Sequence, residues 1–223
     1  MKNLQIILTS LIVFLSLGTI FSQNLSIGVR AGADYFTIKN DLIDDDSKFT
    51  LGYNFAIPVE YNLTSVFSLQ PELNFTQKGV EFDFDQDGEE INLKLRTNYL
   101  ELPVLFKARY GTEAIKAYAF AGPSVGFATN RKATTQIGDG DKESESIDFV
   151  TDGDVQDQRW EFALVGGIGL DIKAGPGSFI IDARYSHGLT DDAKFEGSKP
   201  EDWKKSFNRG CTLSLGYKIP LGK

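Results

Sequence analysis

Cysteine, histidine and clusters of positive charge are scarce in this chain. The single cysteine, Cys211, has no second thiol in the chain with which to form a disulfide. It also lies far from the N-terminal apolar segment, which argues against a lipid-anchored lipoprotein. The formal net charge is -8, and no group of lysines and arginines stands out against it. The composition therefore argues against nucleic acid as a partner, because phosphates require such groups.

Long apolar runs are also missing after residues 1–22, so no later helix is expected to span a membrane. Residues 1–22 begin with the positive charge of Lys2, continue as an apolar run from Leu4 to Phe21 and end on the small Ser22, as secretory signal peptides do. A transmembrane helix is the competing interpretation, but only Lys2 precedes the run. We predict a cleaved signal peptide over residues 1–22 and, since no linker divides the rest, one domain over residues 23–223.

What the sequence does contain is a period-two alternation of apolar residues with polar or small ones. This pattern is typical of β-strands that have one apolar face. The fifth of the eight segments is the least regular, because both of its faces carry glycine, alanine and aromatic residues. The predicted strands are Leu25–Tyr35, Phe49–Tyr61, Phe67–Phe75, Leu100–Tyr110, Lys116–Phe127, Trp160–Ile172, Phe179–His187 and Cys211–Leu221.

The connections between these strands alternate in length. The predicted tight turns are Asn62–Ser65, Gly111–Ile115 and Lys173–Ser178. The long, acidic connections are Lys39–Lys48, Glu81–Asn92, Arg131–Gln158 and Thr190–Phe207. We therefore predict an all-β fold, an eight-stranded antiparallel up-and-down transmembrane β-barrel with short periplasmic turns and four longer extracellular loops. In a regular strand, Leu93 and Leu95 would lie on the face opposite to that of Leu100. This change of the apolar face predicts a bulge or strand start near Asn98.

A soluble barrel of lipocalin type would show the same alternation, so the chemistry of the two faces has to distinguish a soluble barrel from a membrane barrel. The polar face of a soluble barrel meets water and should be rich in lysine and glutamate. Here that face carries mainly small residues, which suit the crowded interior of eight strands, so the apolar face is predicted to contact lipid. Aromatic residues gather at strand ends, as in the interfacial girdles of membrane barrels. They are Tyr35, Tyr61, Phe67, Tyr110, Phe127, Trp160, Phe179, Tyr185 and Tyr217.

Charged residues of both signs occupy inward-facing positions of the predicted strands. Buried charges are tolerated only when they are paired and hydrogen-bonded, so we expect ion-pair networks to fill the interior. Eight strands leave too little room for an open channel, which disfavours a selective conduit. These residues are Arg30, Asp34, Glu60, Glu72, Glu101, Lys107, Arg109, Glu161, Asp171, Asp182, Arg184 and Lys218.

Five short motifs lie along the predicted strands. They are Leu69–Phe75 (LQPELNF), Asn98–Lys107 (NYLELPVLFK), Ala121–Gly126 (AGPSVG), Asp182–Leu189 (DARYSHGL) and Gly216–Leu221 (GYKIPL). Together they resemble strands of the PorT-like outer-membrane β-barrel proteins of Bacteroidetes, and the similarity covers nearly all of the chain after the signal. The resemblance implies an outer-membrane barrel of a Gram-negative bacterium. Some PorT-like proteins are associated with the type IX secretion and gliding apparatus, so envelope or secretion proteins join outer-membrane lipid as candidate partners.

One acidic segment partly matches a calcium-binding loop. Asp83, Asp85 and Asp87 stand at the first, third and fifth positions of such a loop, and Gly88 at its turn. The position of the expected bidentate glutamate is occupied by Lys94. The motif therefore supports only a weak calcium hypothesis, and a solvated loop of mutually repelling charges is the favoured interpretation. No cofactor is predicted.

The one histidine, His187, lies at the loop end of the seventh predicted strand, near Ser186, Asp191 and Asp192. Outer-membrane acyltransferase and protease barrels place catalytic groups at that rim. An interfacial aromatic side chain beside a loop is the favoured interpretation, and zinc is less favoured still, because no other His or Cys can join His187 as a ligand. We expect a non-enzymatic barrel that presents acidic extracellular loops, with a secretion accessory as the alternative and a rim-catalysed enzyme as the least favoured function.

Overall fold

The structure, a computed structural model, describes residues 24–39, 47–86, 88–138, 140–197, 200 and 203–222. The predicted signal peptide and most of the first predicted loop lie outside these residues. Within the described part of the chain, no helix is long and apolar enough to cross a membrane.

The secondary structure of the described residues is almost entirely β. The strands are β1 (Leu25–Lys39), β2 (Ser47–Asn62), β3 (Phe67–Gln86), β4 (Glu89–Gly111), β5 (Ile115–Ile137), β6 (Glu143–Ile147), β7 (Val155–Asp157), β8 (Trp160–Ala174), β9 (Gly177–Gly188), β10 (Ala193–Phe195) and β11 (Phe207–Pro220). Strands β1, β2, β3, β4, β5, β8, β9 and β11 pair in that order as antiparallel neighbours, and β11 pairs back onto β1. This ring is the predicted eight-stranded up-and-down barrel.

The three predicted tight turns are confirmed and lie at one end of the barrel, which we call the turn end. Between β2 and β3, the Thr64 hydroxyl accepts hydrogen bonds from the backbone N–H groups of Val66 (3.1 Å) and Phe67 (2.9 Å). Between β8 and β9, Gly175 takes a φ of 60°, which a side chain would disfavour. The opposite end, where the long connections lie, is the loop end.

The prediction of a loop over Glu81–Asn92 was wrong in its secondary structure. Strand β3 continues to Gln86 and pairs without interruption with β4, which starts at Glu89. Gly88 closes this hairpin with a φ of 84°, and its N–H donates to an Asp85 carboxylate oxygen at 3.0 Å. Acidic residues suggested a loop here, but Glu81, Asp83 and Asp85 occupy alternate positions of an extended β3.

Four strand segments therefore rise above the rest of the ring at the loop end. Strand β8 starts opposite Phe127, so the later part of β5 pairs with β4 on one side and β6 on the other. We call these segments, residues 80–86, 89–95, 131–137 and 143–147, the outer sheet.

The predicted irregularity near Asn98 is confirmed, but its extra residue belongs to a different strand. Asn98 pairs with Asn130 and Tyr99 with Ala128, which leaves Thr129 of β5 unpaired in the ladder. The register between β3 and β4 runs through Asn98 without a shift. The Thr129 hydroxyl donates to the Asn98 carbonyl at 3.0 Å, so this bulge is held by a side chain.

The apolar face of each ring strand points outward, as predicted, and aromatic side chains cluster near both ends. At the loop end the rings of Phe127 and Trp160 lie 4.9 Å apart, and those of Tyr35 and Phe49 lie 4.7 Å apart. At the turn end Phe67 stacks with Phe106 at 5.4 Å, and Phe179 contacts Tyr217 at 5.2 Å. These are the interfacial positions at which membrane barrels carry aromatic girdles.

The interior holds large aromatic side chains beside the small and charged residues predicted for it. Tyr118 and Phe120 of the irregular fifth strand are buried in it. A Cβ added to Gly169 would lie 2.4 Å from the Tyr118 ring, and one added to Gly167 would lie 2.5 Å from the Phe120 ring. Small residues thus occupy the interior because large side chains opposite them need the space.

Candidate functional site

The interior holds stacked layers of ion pairs, beginning with a turn-end cluster around Glu60. Its carboxylate contacts Lys218 at 2.6 Å, Arg109 at 3.0 Å and Lys107 at 3.3 Å. Lys218 also pairs with Asp171 at 2.5 Å. These residues come from β2, β4, β8 and β11, so a single carboxylate joins distant parts of the ring.

The middle cluster consists of two arginines and two carboxylates. Glu72 accepts hydrogen bonds from Arg30 (3.1 Å) and Arg184 (2.7 Å). Asp182 pairs with the same two arginines, at 3.2 Å to Arg30 and 2.9 Å to Arg184. Gln70 adds a donor to Glu72 at 2.6 Å. The four charges balance, and their side chains are at most 5% exposed, so this layer fills the interior with a buried, charge-balanced network.

Asp34 is held differently, by neutral donors. Its carboxylate accepts hydrogen bonds from Thr76 (2.5 Å), Thr212 (2.6 Å) and Asn54 (3.0 Å). The residue is 0% exposed. Three donors from β2, β3 and β11 thus replace the water that the carboxylate loses on burial.

The loop-end cluster centres on Lys78, which the sequence analysis did not single out. Its ammonium group contacts Glu101 at 2.7 Å and also pairs with Glu161. It lies 5.0 Å from the centre of the Tyr99 ring. Asn208 donates to the second Glu161 oxygen at 2.5 Å. Lys78 was missed because the third predicted strand ends at Phe75. In the structure, every second residue of β3 continues to face the interior as far as Lys78 and beyond.

The predicted inward-facing charges lie in the interior, as expected from their parity. Arg109 is half-buried at the turn end, and the others are buried. Among the described residues, ion pairs join all of these charges except Asp34 into the three clusters. The prediction that ion-pair networks fill the interior is therefore confirmed.

A small cap covers the loop end of the interior. Strand β7 pairs with β10, and the Gln158 N–H donates to the Asp192 carbonyl at 2.8 Å. The Trp203 indole donates to Asp191 at 2.9 Å, and its ring contacts Phe195 at 4.8 Å. Between this cap and the loop-end cluster lies a cavity of about 320 Å³, whose lining includes Lys78.

The outer sheet has one largely apolar face and one charged face. Phe82 pairs with Leu93 on the face that continues the wall of the interior. On the opposite face, Lys94 pairs with Glu81 at 2.7 Å, and Lys48 pairs with Asp83. The hydrogen bond from Lys48, together with one from Asn92, holds the pKa of the Asp83 carboxyl below its usual range.

The candidate calcium ligands occupy this charged face. Asp83 and Asp85 are two residues apart in β3, and Asp87 lies outside the described residues. Asp83 already contacts Lys48 and Asn92, and Asp85 accepts the Gly88 N–H. In the described part of the chain, no three His, Cys, Asp or Glu side chains are grouped to hold a metal ion. Calcium binding stays an untested hypothesis.

His187 lies among aromatic side chains at the loop end. Its ring contacts that of Phe207 at 4.9 Å and stacks on Tyr185 at 6.4 Å. Tyr185 is half exposed on the outward-facing side of β9. His187 therefore stands in the position of an interfacial aromatic residue, away from the carboxylates of the interior.

Comparisons with known proteins give one family and several solved structures. The sequence model of the family described as "Outer membrane protein beta-barrel domain" matches residues 21–193. No curated protein matches the chain. The structure of Ail, the attachment invasion locus protein of Yersinia pestis, in complex with the heparin analogue sucrose octasulfate, is 19% identical, with a TM-score of 0.42, over 88% of this chain and 99% of that one.

Two further solved structures are similar over most of their length. Neisserial surface protein A is 15% identical, with a TM-score of 0.44, over 87% of this chain and 96% of that one. The outer membrane enzyme PagL is also 15% identical, with a TM-score of 0.36, over 86% of this chain and 99% of that one.

Proposed function

The chain belongs to the family of the outer membrane protein beta-barrel domain, and from this premise we propose that it is a non-enzymatic scaffold with a closed interior that displays its outer sheet outside the cell. In bacterial barrels of this kind, short turns face the periplasm and longer connections face the exterior. The outer sheet and the cap stand at the end with the longer connections, so this assignment makes them the part that meets the environment.

The observation that carries the proposal is the middle cluster. Glu72 and Asp182 share Arg30 and Arg184 across the barrel, and the Glu72 side chain is 0% exposed. Opening a water-filled path would require these paired charges to separate in a space of low dielectric constant, which is costly. A barrel filled in this way is suited to holding a surface in place rather than to passing solutes.

Purified protein in planar lipid bilayers tests the closed interior. We expect no steady conductance steps of porin size, whereas a barrel of similar preparation with an open lumen, used as a positive control, produces them. Reproducible porin-sized steps from the unaltered protein would overturn the proposal.

A PorT-like accessory of a type IX secretion or gliding apparatus is a second candidate function. Its support is the set of motifs that includes Asn98–Lys107 and Asp182–Leu189. Crosslinking in intact outer membranes followed by purification of the barrel distinguishes the two. Recovery of secretion components, together with loss of cargo export on deletion of the protein, supports the accessory. Recovery of other surface proteins with unchanged export supports the general scaffold.

A rim-catalysed enzyme is the third candidate and rests on His187 alone. The contacts of His187 with Phe207 and Tyr185 favour a structural role for it. If an activity is found, His187→Ala has to abolish it while leaving the heat-modifiable migration of the folded barrel intact.

A further inference from the structure

Strand β6 is the edge of the outer sheet. It pairs with β5 through residues 143–147 and stands last in the strand order, and in the described part of the chain no strand pairs with its other side. All of its residues are exposed. An edge strand of this kind leaves backbone N–H and C=O groups free to pair with an added strand.

The side chains of β6 restrict which strand could pair there. Glu143 and Glu145 lie on one face, opposite the uncharged Thr135 and Ala133 of β5. The ion pairs of the outer sheet join other residues, such as Lys94 with Glu81 and Arg131 with Asp157. The two glutamates therefore present negative charge at alternate positions of the edge, where charges of the same sign on a neighbouring strand would be repelled.

The same charges argue against a second copy of this chain as the partner. Two β6 strands that pair antiparallel in full overlap place Glu145 opposite Glu145 and Glu143 opposite Ile147. Like charges directly opposite one another destabilise a strand pair. A strand with lysine or arginine at alternate positions instead places a cation beside each glutamate.

We propose that β6 binds an extended, basic segment of another protein by strand addition, with alternate lysine or arginine side chains beside Glu143 and Glu145. The inference rests on the proposed function, because it requires the outer sheet to face the outside of the cell. Ser144, which lies between the two glutamates, favours a small polar residue in the partner, since its short side chain already lies 2.9 Å from the Thr134 hydroxyl.

A peptide titration tests this edge directly. The probe is a synthetic peptide containing the repeat Val-Thr-Lys-Thr-Lys, added to isotopically labelled barrel in lipid nanodiscs. We expect amide resonances of residues 143–147 to shift on titration. The double variant Glu143→Lys/Glu145→Lys should weaken binding by about tenfold, because two favourable cross-strand charge pairs become repulsive.

Two controls separate strand addition from general attraction to an acidic surface. The variant Glu89→Lys/Glu90→Lys makes the same change of net charge at the start of β4, where both residues pair with β3 and the Glu90 carbonyl accepts the Gly138 N–H. It lies outside β6 and should bind the peptide nearly as well as the unaltered protein. A peptide with N-methyl groups on alternate residues of one edge keeps its charges but cannot complete the backbone ladder, and it should not bind.

The possible outcomes each decide the proposal. Equal weakening by the two double variants, or binding of the N-methylated peptide, overturns strand addition at β6, as does the absence of any shift in residues 143–147. The N-methylated peptide needs no protein variant, so the test holds even if Glu143→Lys/Glu145→Lys misfolds. If the peptide does not bind and the protein shows no channel conductance, only the proposed partner of β6 is ruled out. Porin-sized conductance instead rules out the proposed closed scaffold.

Discussion

The interior of the barrel and the outer sheet both carry ion pairs between strands, but the two sets of pairs stand in different surroundings. The Arg30 and Glu72 side chains are 2% and 0% exposed, whereas those of Lys48 and Asp83 are 61% and 44% exposed. Water screens the outer pair and solvates either partner when the other is removed. In the interior no water replaces a lost partner, so the same kind of contact there decides whether the barrel is stable.

The largest expected effect is that of Glu72→Leu. The change leaves the guanidinium groups of Arg30 and Arg184 with Asp182 as their only carboxylate in the middle cluster. We expect the free energy of unfolding in detergent micelles or vesicles to fall by about 3–5 kcal/mol, measured by urea titration of the heat-modifiable gel shift.

A matched variant separates the loss of pairing from the loss of the cluster. Replacing Arg30, Glu72, Asp182 and Arg184 together by apolar residues of similar size removes the charges in balance and should cost less than Glu72→Leu alone. If Glu72→Leu leaves the free energy of unfolding unchanged, buried and exposed ion pairs contribute equally to stability, contrary to the difference described above.

Lys78→Met should have a smaller, intermediate effect. It leaves Glu101 and Glu161 without their shared cation, but their side chains are 10% and 8% exposed, whereas that of Glu72 is 0% exposed. We expect a loss of about 2–3 kcal/mol in the same urea titration. Adding Glu161→Gln to Lys78→Met should recover part of it. No recovery would mean that the repulsion between carboxylates is not the cause.

Lys48→Ala should have the smallest effect. The Lys48 side chain pairs with Asp83 on the exposed face of the outer sheet, where Asn92 also donates to Asp83 at 2.5 Å. We expect no measurable change in the urea midpoint, because exposed pairs contribute little. A midpoint shift as large as that of Lys78→Met would show that the outer sheet is coupled to the barrel more tightly than its exposure indicates.

The sequence predicted the barrel because membrane strands obey a strict rule of alternation. Outward positions such as Val29 and Leu51 contact lipid and must be apolar, and inward charges such as Arg30 and Glu72 must be paired. Both constraints are visible residue by residue, so the strands, the tight turns and most of the interior network could be read directly.

The outer sheet could not be read in the same way. Beyond the membrane the outward face meets water, so charged residues such as Asp83 and Asp85 replace apolar ones and the lipid-facing signal ends at Phe75. The hairpin then resembles an acidic loop, although Phe82 and Phe84 still alternate with the acids. The bulge was also assigned to the wrong strand. Leu93 and Leu95 differ in parity from Leu100 because they lie on the inward face of an unbroken β4, whereas the extra residue is Thr129 of β5.

The length of the β3–β4 hairpin has a mechanical consequence. Strand β4 runs without a break from Glu89 to Gly111, and at about 3.3 Å per residue a strand of this length far exceeds the roughly 30 Å hydrocarbon layer. A pull applied at the tip is directed along the strands, at right angles to the interstrand hydrogen bonds. Those bonds share the load in shear instead of opening one after another. The hairpin therefore transmits a pull from its tip to its base in the membrane without unzipping.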